Sequence, residues 1–254
     1  MSRQDLTIRS LQPWFFRPLA RSDESELMDQ PELDPVELVG NLRDIRRVNQ
    51  LLGGTSIVLR HLRRIRASFP SQESVTVLDL ATGSADIPVA VSRWAKRRGL
   101  AMTITASDSS EQMLELAREQ MAGHPKITLA RYDARAVPLP DQSVDIVLCS
   151  LSLHHFAPKD AVQVLREMDR LARKGFILND LRRGWLGYIA AWIAARLTTR
   201  NRLTRNDAPL SIRRAYTPSE LEDLLHDAGV TGAAISTHLW FRMAAVKIGV
   251  PGHG

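Results

Sequence analysis

Apolar positions along this chain change period several times, and each change marks an element. From Asp34-Pro35 onward they recur at helical spacing: Val36, Val39, Leu42, Ile45 or Val48, and Leu52. Asp34 is placed to cap that helix and Pro35 stands at its first position. Gly53-Gly54 ends the run. Thr55 is read as the cap of a second helix, in which Ile57, Leu59, Leu62 and Ile65 oppose Arg60, Arg63, Arg64 and Arg66. Short β-rich runs then alternate with helical ones. Strands are predicted over 75–80, 102–107, 127–132, 144–150 and 175–181, and helices over about 85–98, 110–122 and 159–172. The proline-rich stretch 134–142 lacks helical periodicity. A helix over 218–228 precedes two closing strands, near 231–236 and 240–248. The alternation predicts an α/β fold with a parallel sheet, and the closing strands predict an antiparallel edge hairpin.

Four segments follow. Residues 1–70 form a helical N-terminal arm and lid, 71–181 an α/β core, 182–216 a helical insertion, and 217–254 the last helix and strands. The arm carries an apolar cluster, Leu11-Gln-Pro-Trp-Phe-Phe16, read as a packing anchor. Composition changes this picture little. At 254 residues, 44% hydrophobic and 24% charged, the chain suits one α/β domain with an added subdomain. The single cysteine, Cys149, excludes an internal disulfide and fits a reducing, cytoplasmic setting. The first ten residues do not resemble a signal peptide, and no apolar run reaches the roughly 18 residues of a spanning helix. The formal charge of +6 admits an acidic partner such as RNA, anionic lipid or an acidic small molecule; it is equally a matter of arginine usage.

Candidate chemistry lies at the strand ends. Val75-Thr-Val-Leu-Asp-Leu80 runs into the small-residue turn Ala81-Thr-Gly-Ser-Ala85 and then a helix, the opening unit of a nucleotide-binding sheet. Small side chains admit close backbone approach, and the helix start presents free N–H groups. Asp79, Asp108 and Asp133 end three successive strands, so in a parallel sheet they converge on one edge. An acid ending the second strand suits ribose hydroxyls, Asp133 an adenine amine, and Asp79 a cationic group. A dinucleotide site wants Gly-x-Gly-x-x-Gly, whereas this turn has only Gly83. A nucleoside with a positively charged tail fits better.

These residues carry a resemblance. Asp79-Leu-Ala-Thr-Gly-Ser-Ala-Asp86 resembles the first motif of class I S-adenosylmethionine-dependent methyltransferases, above all the ubiquinone/menaquinone-biosynthesis branch, and is also similar to small-molecule O-methyltransferases. Ala106-Ser-Asp-Ser-Ser-Glu-Gln-Met-Leu114 is similar to the second motif. Asp133-Ala134, Val137-Pro-Leu-Pro140 and Val144-Asp145 resemble the third and fourth, and Lys174-Gly175 stands where Pro-Gly is usual. The resemblance implies a Rossmann-like seven-stranded, mostly parallel sheet, S-adenosyl-L-methionine as cofactor, and methyl transfer. It implies that Asp79, Ala81, Thr82 and Gly83 line the methionine and ribose and that Asp108 holds the ribose hydroxyls. Ser109 and Met113 would then lie near the adenine, Asp133 and Ala134 at its edge, and Cys149 and Ser150 near the sulfonium. Ala85 departs from the pattern, standing where the family often has a second glycine.

Transfer to a hydroxyl needs a positioned nucleophile and a proton acceptor. His154 and His155, directly after the fourth strand, are the candidate bases; the opposing reading is that they cap and pack the loop. No metal is expected, because adjacent histidines lack partners at ligand spacing. Residues 173–214 hold ten Lys/Arg against two Asp/Glu around an aromatic, apolar helix with Trp185, Tyr188 and Trp192. That helix is read as a lid over a hydrophobic substrate, as an interfacial helix for peripheral membrane contact, or as a helix packed on the N-terminal pair with both tryptophans buried. Asn49 and Tyr216 are further pocket candidates. The expected function is methyl transfer to a hydroxyl of a small aromatic or polyketide-like molecule of secondary metabolism. The rival is C-methylation of a quinone-like ring. RNA methylation is disfavoured because no RNA-binding module and no Asn-Pro-Pro-Tyr-like run is present, so no nucleic-acid partner is expected.

Overall fold

A computed structural model describes residues 19–30, 33–67 and 74–249. The cluster at residues 11–16 lies outside them. Seven strands are present among the described residues: β1 (Val75–Leu80), β2 (Met102–Asp108), β3 (Ile127–Arg131), β4 (Val144–Ser150), β5 (Ala172–Leu181), β6 (Ala233–His238) and β7 (Arg242–Ile248). They form one sheet in the order β3-β2-β1-β4-β5-β7-β6. The first five run parallel, and β7 pairs antiparallel with both β5 and β6. Strand order reverses direction between β1 and β4. That switch point is where an open α/β sheet leaves a crevice above its strand C-termini.

Both sheet faces are covered, as a parallel sheet requires. On one face, Val77, Ile104, Leu148, Ile177 and Val246 pack against α2 (Gly54–Arg66) and α3 (Asp86–Arg97) through Leu62, Ile65, Val91 and Trp94. On the other, Leu78, Val147, Phe176 and Met243 meet α5 (Pro158–Leu171) and α8 (Pro218–Asp227). Strand alternation therefore sorts every strand-end side chain to one face or the other. Helix α8 starts with a complete capping box, Thr217 and Glu220 bonding each other's backbone N–H.

Helix α1 (Pro35–Leu51) starts where the sequence places it, with Asp34 accepting from the Val36 N–H at 2.8 Å. Its buried stripe is different. Leu38, Asn41, Leu42 and Asn49 face inward, while Val36, Val39 and Val48 are exposed. Two asparagines occupy inward positions that a hydrophobicity pattern assigns to solvent. The second helix also starts earlier than read: Gly53, in the left-handed region at φ 83°, takes the cap position that Thr55 was expected to hold. Gly54 opens α2 because nothing larger fits. A Cβ there would lie 2.6 Å from Asn49 Oδ1 and 2.8 Å from Arg242 Nη1. Gly54→Ala is expected to cost about 1–3 kcal/mol in a denaturant melt, despite alanine's better helix propensity, by forcing that buried pair apart.

Residues 182–216 form two helices, α6 (Trp185–Thr198) and α7 (Arg202–Arg214). Leu203 of α7 joins Leu33, Leu38 and Leu42 in a small third cluster, to which Met113 and Leu116 of α4 (Glu111–Gln120) add their side chains. Helices α1 and α7 thus roof the sheet edge beside β2. Helix α6 does not bury its tryptophans on the N-terminal pair: only Gly187 and Ala195 are buried along it, and Trp192 is 43% exposed.

Candidate functional site

The turn after β1 is stiff and strained. Ala81, Gly83 and Ala85 all lie in the left-handed region, at φ 51°, 53° and 57°. For the two alanines this costs roughly 1 kcal/mol each, which explains why a glycine is the usual choice at the Ala85 position. Hydrogen bonds hold the turn. The Thr82 N–H donates to the Ser107 carbonyl at 2.9 Å, and the Gly83 N–H to Asp108 Oδ2 at 2.9 Å. Asp108 Oδ1 accepts from the Ser110 N–H at 3.0 Å, so this one carboxylate ties β2, the turn and the start of α4 together. Burial raises its pKa.

Asp79 lies beneath that turn, 2% exposed. Its Oδ2 accepts from the Thr82 hydroxyl at 2.6 Å, while Oδ1 is buried with no partner. Burial, with Asp86 and Asp108 close by, pushes its pKa up to about 8. A carboxylate in that state calls for a cation, and a cationic group is what the tail of S-adenosylmethionine offers. The donor set therefore fits this cofactor. It does not fit a pyrophosphate, which an acid in that place would repel.

Asp79 heads a row. Ser150 at the end of β4, Asn179 near the end of β5 and Arg242 at the start of β7 lie on the same sheet face, each two residues from a core side chain of that face (Leu148, Ile177 and Ala244). All carry buried polar atoms with no partner: Ser150 Oγ, Asn179 Oδ1 and Nδ2, and Arg242 Nε and Nη1. Leaving such groups unpaired costs about 1–3 kcal/mol each, so their concentration at one edge marks a place for a ligand. Arg242 is 1% exposed, and burial pulls its pKa down to about 10 against the opposing pull of Asp180 and Asp86. Its Nη2 donates to Asn49 Oδ1 at 3.0 Å, and Asn49 Nδ2 donates to Asp86 Oδ2 at 3.0 Å.

The histidines occupy a different environment, in a 3-10 turn (Leu153–His155) after β4. His154 is buried, with Nδ1 2.7 Å from Asp180 Oδ1 and Nε2 3.6 Å from Glu26 Oε1. His155 Nδ1 is 3.0 Å from Asp29 Oδ2. Glu26 and Asp29 push the His155 pKa up to about 9 against burial. Glu26, itself 1% exposed, also accepts from the Ser211 hydroxyl at 2.8 Å. Arg214 donates to the His155 carbonyl at 2.7 Å and to the Glu24 carbonyl. Residues 21–29 thus lie as a strap across α7 and the histidine turn, and both imidazoles are committed to carboxylates. Ligand-type atoms of Glu26, His154 and His155 lie within 4.8 Å of one another, a grouping that the spacing of the histidines alone did not disclose.

The other sequence-predicted residues are spread around this centre. Ser109 is exposed, and Met113 leans on the α1–α7 cluster. Asp133 is gripped by Arg135 through Nε and Nη2, at 3.0 and 2.7 Å. Ala134 packs in the core of the α5 and α8 face. Cys149 turns its side chain to that same face, where Sγ meets Ser152 Oγ at 2.9 Å and burial pushes the thiol up to about 12. Only its backbone is left to line the crevice. Asn49 is central. Tyr216 is buried with its hydroxyl donating to the Phe156 carbonyl at 2.7 Å. Trp185 and Tyr188 form an edge-on pair at 6.2 Å, and Trp192 stacks under Arg196 at 3.8 Å.

Five parallel strands with an antiparallel β7 inserted beside β5, a small-residue turn after β1 and an acid at the end of β2 give the Rossmann-like fold that S-adenosylmethionine-dependent methyltransferases share. Residues 77–175 match the methyltransferase domain family. Over 103 residues the chain is 34% identical to a ubiquinone/menaquinone biosynthesis C-methyltransferase of Hahella chejuensis, covering 39% of each. Over 100 residues it is 39% identical to the demethylmenaquinone methyltransferase of Thermotoga maritima, covering 39% of this chain and 40% of the relative. The match therefore spans about two fifths of these curated relatives. Among solved structures, an S-adenosylmethionine-dependent methyltransferase from Aquifex aeolicus shares the fold, with a TM-score of 0.58 at 18% identity over 86% of this chain and 100% of that one. No helix among the described residues is long and apolar enough to cross a membrane.

Proposed function

We propose that the protein transfers a methyl group from S-adenosylmethionine to a ring carbon of a quinone-like acceptor. The observation that carries this reading is the row of unpartnered buried groups, with an acid at one end and a cation at the other. The cofactor supplies a methyl group on a positively charged sulfur, a leaving group that needs no protonation. Asp79 is the anion for its cationic tail, and the Asp108–Gly83 bond holds the turn that receives the nucleoside. The free Nε and Nη1 of Arg242, with Asn179 beside them, donate to an acceptor oxygen. A ring oxygen held as an anion pushes electron density onto the neighbouring ring carbon, which then attacks in line. The hydroxyl proton passes to solvent before the attack, and the proton of the methylated carbon passes to solvent as the ring regains its aromaticity.

The relatives favour carbon over the hydroxyl oxygen that the sequence first suggested, and the histidines lose the role that the oxygen reading gave them. The curated relatives named above include a C-methyltransferase of quinone biosynthesis. Neither histidine is placed as the base for a hydroxyl proton: His155, with its pKa pushed up to about 9, holds its own proton at neutral pH, and His154 meets Asp180 through Nδ1 and faces Glu26 through Nε2 at 3.6 Å. In this reading both histidines are positioning residues that anchor the 21–29 strap over the acceptor. The test is incubation with methyl-labelled S-adenosylmethionine and a panel of hydroquinones and phenols, with the product read by carbon NMR. A ring-bound methyl signal appearing with S-adenosylhomocysteine is expected. Methoxy products alone would return the reaction to oxygen, and cofactor binding without turnover would make the chain a binding module.

A further inference from the structure

Helix α6 exposes what a helix in a folded core hides. Leu186, Ile189, Ile193 and Leu197 follow one another at three- and four-residue spacing on one outward stripe, with Leu186 74% and Leu197 81% exposed. The stripe continues onto a second element. Gly187 lies so close to the Phe241 ring that a Cβ there would be 3.0 Å from it, and the Arg182 N–H donates to the Phe241 carbonyl at 2.7 Å. The β6–β7 turn therefore abuts the start of α6, and it presents Leu239 and Trp240, 84% and 58% exposed. An apolar ridge runs from that turn along α6, which is about 21 Å long. A ridge is convex and so does not enclose a small substrate.

Its far end is basic. Arg196, Arg200, Arg202 and Arg205 line one shallow recess with Asn206; Arg202 is paired with Glu37 at 2.9 Å, and the other three meet no carboxylate among the described residues. Arg200 has no partner among the described residues. Of the two acids in residues 173–214, Asp180 is 1% and Asp207 3% exposed, so the surface of this segment shows its arginines without them. Trp192, stacked under Arg196, joins the ridge to the recess.

We propose that this face docks on an anionic lipid bilayer, with α6 and the β6–β7 turn seated in the headgroup boundary and the α6–α7 arginines on lipid phosphates. An apolar helical stripe with aromatic residues beside a cluster of arginines is the arrangement that binds in the plane of such a surface. Docking in this way holds the start of α6, and the sheet edge beneath it, against the membrane, where a lipophilic acceptor would be drawn. The assignment is independent of methyl transfer and is read without it.

The full chain is mixed with phosphatidylcholine–phosphatidylglycerol vesicles and with phosphatidylcholine vesicles, and binding is followed by co-sedimentation. Affinity for the anionic vesicles is expected to exceed that for neutral ones by at least about tenfold and to fall with salt. Brominated lipid is expected to quench tryptophan fluorescence. Leu186→Glu with Leu197→Glu should weaken binding by more than about tenfold, and Arg200→Ala by about fivefold. S-adenosylhomocysteine binding should be unchanged in both, which checks the fold. Wild-type protein that stays in the supernatant overturns the proposal. So does a double variant that sediments like wild type, or a wild-type dimer that those substitutions convert to monomer without any vesicle binding.

Discussion

Asp79→Asn is expected to weaken S-adenosylmethionine binding by about 100-fold and at the same time to stabilise the cofactor-free protein. Both effects come from one carboxyl group whose proton is held to about pH 8 by burial and by Asp86 and Asp108. The cofactor's cationic tail needs the ionised form. Below pH 8 binding must therefore expel a proton, and wild-type affinity should rise by up to about tenfold per pH unit until it levels above 8. Calorimetry in buffers of different ionisation enthalpy measures that proton directly. The variant should show neither the proton release nor the slope. Stability runs the other way. The folded state keeps the proton between the unfolded value of 3.8 and about 8, where the unfolded chain has lost it. This group's contribution to stability therefore falls as pH rises through that window. Cofactor-free Asp79→Asn should match wild type near pH 4 and melt about 10 °C higher at pH 8. A wild-type affinity flat across pH 6 to 9 would mean that Asp79 does not face the cationic tail.

That this residue was visible from sequence has a physical cause. A strand's alternation and the turn after it are local, so Val75–Leu80 locates Asp79 at the sheet edge before any fold is known. Asp108 follows by the same rule, and the strand–helix alternation yields the seven-stranded sheet. Asp133 obeys the rule too, yet Arg135, two residues on, claims its carboxylate. For Cys149 the local pattern falls short: a strand-end position does not say which face a side chain takes until the register is known. The α1 stripe was misplaced because Asn41 and Asn49 are buried by polar contacts, to Thr204 and to Asp86, that only tertiary structure supplies. Glu26 meets His154, and Asn49 meets Arg242 across 193 residues. No periodicity encodes such pairs. The one local sign was a cation directly ahead of an apolar run, Arg242-Met-Ala-Ala-Val246, and an Asn-Asp pair near the end of another strand.

Arg242→Met should lower kcat by about 100- to 1,000-fold while changing the affinity for S-adenosylhomocysteine by no more than a few-fold. Methionine fills a similar volume, and the two acids that face the guanidinium keep other partners: Asp86 retains Asn49, and Asp180 retains His154 and the Leu181 N–H. The fold is therefore expected to survive with a modest loss. What is lost is the pair of unspent donors, Nε and Nη1, and with them the positive charge opposite the acceptor oxygen. Removing one such donor from a buried site costs other enzymes two to three orders of magnitude in rate, because nothing else in a dry pocket replaces it. Arg242→Lys keeps a charge but not the planar fork, and burial favours its neutral form, so it should recover only part of the rate and more of it at low pH. Acceptors bearing a free ring hydroxyl should lose most. An acceptor whose hydroxyl is already methylated should be a poor substrate for wild type and no poorer for the variant. Equal kcat in wild type and Arg242→Met would move the acceptor away from β7, toward the strap formed by residues 21–29.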